Sequence, residues 1–155
     1  MKKKNVKFLA IILTIIFFIN GSILIVSSYS SSRDKEWGLK ISASDISSTG
    51  LKLTLKRSNA DKTERLLTDD SYWLQKWTLF GWKYIDTVDG EGIVSIGVAC
   101  SIENGEELNW NVDWERDFGK LLPGVYRINR TIESSSSFVV NEYNKKLYAT
   151  FIVIF

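Results

Sequence analysis

The sequence predicts an all-β fold, a sandwich of about seven to eight strands that follows one N-terminal hydrophobic helix. Apolar and polar residues alternate with the strand period of two from Trp37 onward, and no segment after residue 30 has a helical period. The 155 residues include six Trp, six Tyr and eight Phe, which suit half-buried pleated surfaces. Turn residues recur at intervals of about 8 to 12 residues, a spacing typical of two-sheet sandwiches.

The alternation predicts each strand in turn. In the second strand, Leu51, Leu53 and Leu55 share one face, because side chains two residues apart point the same way. Phe80-Gly81 separates two strands and predicts a hairpin. Residues 59–70 are rich in charge and predict a connecting loop. The predicted strands are residues 38–44, 51–56, 72–79, 82–88, 93–102, 108–114, 125–132 and 146–155.

The N-terminal segment predicts export. Four lysines precede the apolar residues 8–26, a stretch of 19 residues that would span about 28 Å as a helix, close to the thickness of a bilayer core. This length favours an uncleaved transmembrane anchor. Asn20-Gly21-Ser22 interrupts the stretch, however, and the small residues at 26–28 offer a cleavage site, so a removed signal peptide remains the alternative.

Either alternative gives the same domain plan. Residues 1–30 are the signal peptide or anchor, residues 31–36 a short linker, and residues 37–155 the sandwich. The lysines stay in the cytoplasm, so the sandwich lies outside the cell membrane, or is secreted if the leader is cleaved. In the anchored form, the protein also binds the membrane through its N-terminal helix.

The composition excludes several functions. The part after residue 30 has 16 basic and 18 acidic residues and a formal charge of −2, which argues against nucleic-acid binding because phosphate contacts need clustered cations. The absence of His removes His-dependent catalytic triads and most zinc sites. The single cysteine, Cys100, follows Val98-Ala99, so we expect a buried, unreactive thiol. We therefore expect no catalytic residues, no metal and no cofactor.

A local motif specifies the sandwich further. Tyr126 follows Gly124 by two residues at the start of a late strand, the spacing of a tyrosine corner. In such a corner the hydroxyl bonds back to the backbone a few residues upstream. We therefore expect Tyr126 to have a structural role.

Several stretches together resemble a known family. The ordered segments are 49-TGLKLTL-55, 72-YWLQK-76, 81-GWKY-84, 112-VDW-114, 122-LPGVYRI-128 and 147-LYATF-151. They are similar to the bacterial immunoglobulin-like domain family of exported Gram-positive proteins, over about residues 37–155. The resemblance implies an immunoglobulin-like β-sandwich, but no activity and no site residues.

Trp73 and Trp77 are the candidate binding residues. They share one strand face with Gln75, opposite Tyr72 and Leu74, and would lie outward about 13 Å apart if the opposite face is core. Such a pair suits flat apolar partners such as sugar rings, or a protein. The alternative, which we favour from sequence alone, is that these rings are covered, because Trp is mostly buried in proteins.

Other conspicuous side chains have simpler interpretations. Trp110 and Trp114 alternate with polar residues and are expected in the core. Asp113, Glu115 and Asp117 could offer calcium three oxygens from one strand end, but a solvated face explains them better.

The sequence thus predicts a non-catalytic extracytoplasmic binding module with a cell-wall, glycan or protein partner. The alternative is an inhibitor or regulator of an exported enzyme that acts through a projecting loop, residues 59–70 or 134–144.

Overall fold

The structure, a computed structural model, describes residues 33–60, 64–90, 99–134 and 144–154. This part of the chain forms ten strands and one short helix. The elements are β1 (Arg33–Asp34), β2 (Leu39–Ser44), β3 (Gly50–Arg57), β4 (Leu66–Thr68), β5 (Trp73–Thr78), β6 (Gly81–Tyr84), β7 (Cys100–Ile102), β8 (Glu107–Asp113), α1 (Glu115–Phe118), β9 (Gly124–Ser134) and β10 (Asn144–Val153).

Two antiparallel sheets make up the sandwich. The smaller sheet has the order β1-β2-β3-β8. In the larger sheet β9 is the central strand, and β10 pairs with it along its full length on one edge. On the other edge β5 and β4 pair with β9 one after the other, and they carry β6 and β7 outward. The length of β9 therefore lets one strand organise the whole sheet.

Alternating apolar residues from both sheets fill the core. In β3 the three leucines at 51, 53 and 55 are at most 5% exposed, as their period of two predicts. Trp114 is fully buried, its ring stacks on Phe151 at 5.6 Å, and its indole nitrogen donates to the Ser48 carbonyl at 3.0 Å. The prediction of a core residue is confirmed for Trp114, whereas Trp110 is only partly buried, beneath the guanidinium of Arg130.

The tyrosine corner is present. The hydroxyl of Tyr126 donates to the Leu122 carbonyl at 2.6 Å, and its ring stacks on Phe151 at 5.9 Å. This local bond fixes the turn by which the chain enters β9. The prediction of a structural role for Tyr126 is confirmed.

A buried arginine connects separate segments at one end of the core. Arg57, the last residue of β3, is 1% exposed. Its Nε donates to the Trp37 carbonyl at 3.2 Å, and its Nη1 donates to the carbonyls of Glu64 and Ile102 at 2.7 and 3.0 Å. Burial lowers the pKa of Arg57, while Glu64 and Glu103 favour its charged form. One guanidinium thus connects three segments: the residues before β2, the residues before β4, and the end of β7.

Three features differ from the sequence prediction. The charged connection at residues 59–70 contains β4, which sits within the larger sheet. Residues 115–118 form one turn of helix, too short to show a helical period. The two-residue strand β1 falls within the predicted linker and pairs with β2.

The hydrophobic segment, residues 8–26, lies outside the described residues. In the four described ranges, no helix combines the length and apolar character that crossing a membrane requires.

Candidate binding face

Two tryptophans project from the outer face of the larger sheet. Trp73 and Trp77 on β5 are 41% and 42% exposed, whereas Leu74 between them points inward and is fully buried. The sequence favoured burial of both indole rings, whereas in the structure each is partly exposed. They are therefore available to a partner.

The β5–β6 hairpin supplies an aromatic neighbour for each. Trp77 pairs in register with Trp82, and the two rings meet edge to face at 5.2 Å. Trp73 meets the ring of Tyr84 edge to face at 6.2 Å. Edge-to-face contacts are the favoured geometry for aromatic pairs and restrict ring rotation. The hairpin thus holds both tryptophans in defined orientations.

Arg127 on β9 occupies the centre of this surface. Its guanidinium carbon lies 4.5 Å from the ring centroid of Trp82 and 4.1 Å from that of Tyr148, while its Nε donates to the Gln75 side-chain oxygen at 2.5 Å. Burial lowers the pKa of Arg127, although an arginine stays charged at neutral pH. Cation–π contacts on two sides fix the positions of the rings.

We call this surface the aromatic face and define it by five rings: Trp73, Trp77, Trp82, Tyr84 and Tyr148. Next to it lies a shallow depression of about 290 Å³, lined by Trp73, Tyr84 and Lys146. Small-molecule sites generally combine apolar and aromatic walls with a few polar groups. Two rings beside one ammonium fit that description.

The sequence pointed to two of these rings, Trp73 and Trp77, and not to the other three. It predicted the hairpin turn at Phe80-Gly81, whereas the structure turns at Leu79-Phe80 and pairs Thr78 with Gly81. The one-residue difference matters, because it sets Trp82 rather than Tyr84 opposite Trp77. The alternation of Trp82 and Tyr84 was the signal that could have revealed the larger surface.

The other candidate residues form no site. Among the described residues, no group of three or more His, Cys, Asp or Glu could hold a metal ion. The Asp113 side chain accepts a hydrogen bond from the Glu115 backbone N–H at 3.0 Å, and Asp117 pairs with Arg116 at 2.9 Å. Cys100 is partly exposed, so the prediction of a buried thiol is wrong. It lies on β7, which among the described strands pairs with β4.

Comparison with known proteins agrees with this architecture. A family model described as a bacterial Ig-like domain matches residues 35–151. Among curated proteins, none matches the chain significantly. The match covers most of the chain, including strands β2 to β9 and the aromatic face, and the protein belongs to the bacterial Ig-like domain family.

Proposed function

We propose that this protein is a non-catalytic binding module outside the cell membrane, and that its aromatic face binds a glycan of the cell wall. The observation that carries the proposal is the pair of half-exposed tryptophans, each held edge to face by a second ring. A surface whose rings are already fixed loses little conformational entropy on binding.

The chemistry of the face favours a sugar over a protein. Sugar rings offer flat C–H surfaces to stack on indoles and hydroxyls for polar groups at the edge. Lys146 beside Trp73 and Tyr84 supplies such a group.

The alternative, inhibition of an exported enzyme by a projecting loop, has less support. Within residues 59–70, β4 pairs with both β7 and β9, which draws this segment into the sheet. Residues 134–144 lie largely outside the described part of the chain.

The test is co-sedimentation of the full chain with insoluble cell-wall glycan, using Trp73→Ala, Trp77→Ala and the double variant. A polyoxyethylene detergent keeps the chain in solution without adding a sugar. We expect each single change to weaken binding about tenfold or more, because exposed Trp side chains are typical binding hot spots. The matched control is Leu122→Ala/Ile154→Ala, which removes two exposed apolar side chains away from the face.

Circular dichroism of each variant separates binding from folding. A folded double variant that sediments as well as the wild type would refute the proposal. If the wild-type chain does not bind purified glycan but binds wall material that a protease removes, the ligand is a protein and not a glycan.

A further inference from the structure

A second concave surface lies on the smaller sheet and carries strong positive charge. A cleft of about 560 Å³ opens beside β1 and β2, and four cations line it: Arg33, Lys35, Lys40 and Lys56. We call it the basic cleft. All four side chains are exposed, and the cleft is separate from the aromatic face, which belongs to the other sheet.

The strand register sets three of these cations side by side. Arg33 lies directly opposite Lys40 across β1–β2, and Lys40 lies directly opposite Lys56 across β2–β3. Like charges in directly opposed positions repel and destabilise a sheet. The two like-charge pairs, Arg33 with Lys40 and Lys40 with Lys56, therefore cost stability.

One carboxylate lies beside the row: Glu107 is directly opposite Lys56 across β3–β8, and its Oε1 accepts a hydrogen bond from the Asn109 side chain at 3.1 Å. In the described parts of the chain, none of the four cations forms an ion pair. Asp34, the acidic residue of the cleft, pairs with Lys145 at 2.8 Å and accepts the Trp37 backbone N–H at 2.7 Å. The charge of the cleft is thus left for an external anion.

We propose that the basic cleft binds a phosphate group. A guanidinium can donate two parallel hydrogen bonds to phosphate oxygens, and lysines add point charges around them. Ser58 and Asn59 line the same cleft and add neutral donors. Four cations around one concavity suit a group with several anionic oxygens better than a single carboxylate.

The position of the cleft makes a membrane lipid one source of that phosphate. Arg33 lies seven residues after Val26, where the apolar stretch ends, so the cleft is within about 25 Å of that point even along a fully extended chain. A soluble phosphate ester outside the cell is the other source. The binding chemistry is the same for both.

The experiment uses the full chain in a polyoxyethylene detergent, which contains no phosphate. In one arm, soluble glycerol phosphate is titrated by calorimetry. In the other, phosphatidylglycerol is added to the micelles, with oleate at equal charge as the comparison, and hydrogen exchange of β1 and β2 is followed. The main variant is Lys40→Gln/Lys56→Gln, and the control with the same charge change is Lys83→Gln/Lys120→Gln, placed outside the cleft.

We expect the wild type to bind in at least one arm and the cleft variant to bind at least tenfold more weakly, with the control unchanged. Glycerol phosphate binding identifies a soluble source, and protection by phosphatidylglycerol but not by oleate identifies a lipid source. We also expect Lys40→Gln alone to unfold at a higher urea concentration than the wild type, because Lys40 lies opposite a cation on both sides. A merely structural role for Lys40 predicts the opposite shift.

The proposal is overturned if glycerol phosphate does not bind and phosphatidylglycerol protects no better than oleate, or if the cleft and control variants behave alike. If Lys40→Gln/Lys56→Gln fails to fold, Arg33→Gln/Lys35→Gln provides the same comparison at exposed residues that precede β2.

Discussion

Replacing Arg57 by Met should destabilise the sandwich more than any surface change. The methionine keeps most of the buried aliphatic volume but removes the donors that serve the carbonyls of Trp37, Glu64 and Ile102. Hydrogen bonds to a charged group contribute about 1.5–3 kcal/mol each, and a buried acceptor left unpaired costs about 1–3 kcal/mol. Because removing the guanidinium also removes its own desolvation cost, we expect a net loss of about 3–5 kcal/mol.

Urea unfolding followed by tryptophan fluorescence measures this loss. With a denaturant slope of about 2 kcal/mol per molar, the unfolding midpoint should fall by about 1.5–2.5 M. Arg57→Lys should give an intermediate value, since one ammonium cannot reach three diverging carbonyls. Arg65→Met is the matched control at an exposed arginine and should change the unfolding free energy by less than about 0.5 kcal/mol.

An unfolding free energy of Arg57→Met within about 0.5 kcal/mol of the wild-type value would refute this prediction. That result would mean that water or a shifted backbone satisfies the three carbonyls at no cost. An unchanged slope is required as well, because a changed slope would indicate an altered denatured state.

Further predictions concern single bonds and titrations. Tyr126→Phe removes the corner bond to Leu122 and should cost about 0.5–1.5 kcal/mol in urea unfolding; a neutral result would show that the packed ring alone holds the corner. Burial, with help from nearby carboxylates, raises the pKa of Tyr72 to about 12, so its contribution to stability is complete below pH 10 and lost as the pH rises from 10 to 12. Tyr72→Phe should flatten that part of the pH–stability curve, and an identical slope in both proteins would contradict the assignment. Burial alone would lower the pKa of Lys145, but its hydrogen bonds to Asp34 and Glu36 raise that pKa above its usual value. Lys145→Gln should therefore reduce stability by up to about 1 kcal/mol in low salt and by less in high salt, and a loss independent of salt would indicate lost packing instead.

Local patterns in the sequence predicted much of the fold. The leucines of β3 and the strands β8, β9 and β10 follow from a period of two, and the Tyr126 corner depends on a bond between residues only four apart. Each of these features is decided within one short segment. The resemblance to the Ig-like family, which rests on ordered motifs, predicted the same sandwich fold.

Features set by distant pairing could not be predicted. The three residues of β4 adopt strand geometry because β7 and β9 supply its hydrogen bonds. The charged residues around them predicted a loop, so the strand could not be recognised from the sequence. The exposure of Trp73 and Trp77 depends on which segments pass over the sheet, which no local pattern reports. The basic cleft is a similar case, because Arg33, Lys40 and Lys56 become neighbours only through strand register.

The contact between Lys145 and the start of the sandwich has a mechanical consequence. A pull on the chain ahead of Arg33 reaches β1 first, and a two-residue strand would peel from β2 under little force. Lys145 contacts Asp34 at 2.8 Å and Glu36 at 2.7 Å, so part of that load passes to β10, which is paired to β9 over ten residues. Strand β1, which takes the tension first, is thus connected to the longest strand pairing of the larger sheet, β9 with β10. The connection consists of the Lys145 ion pairs, which salt weakens.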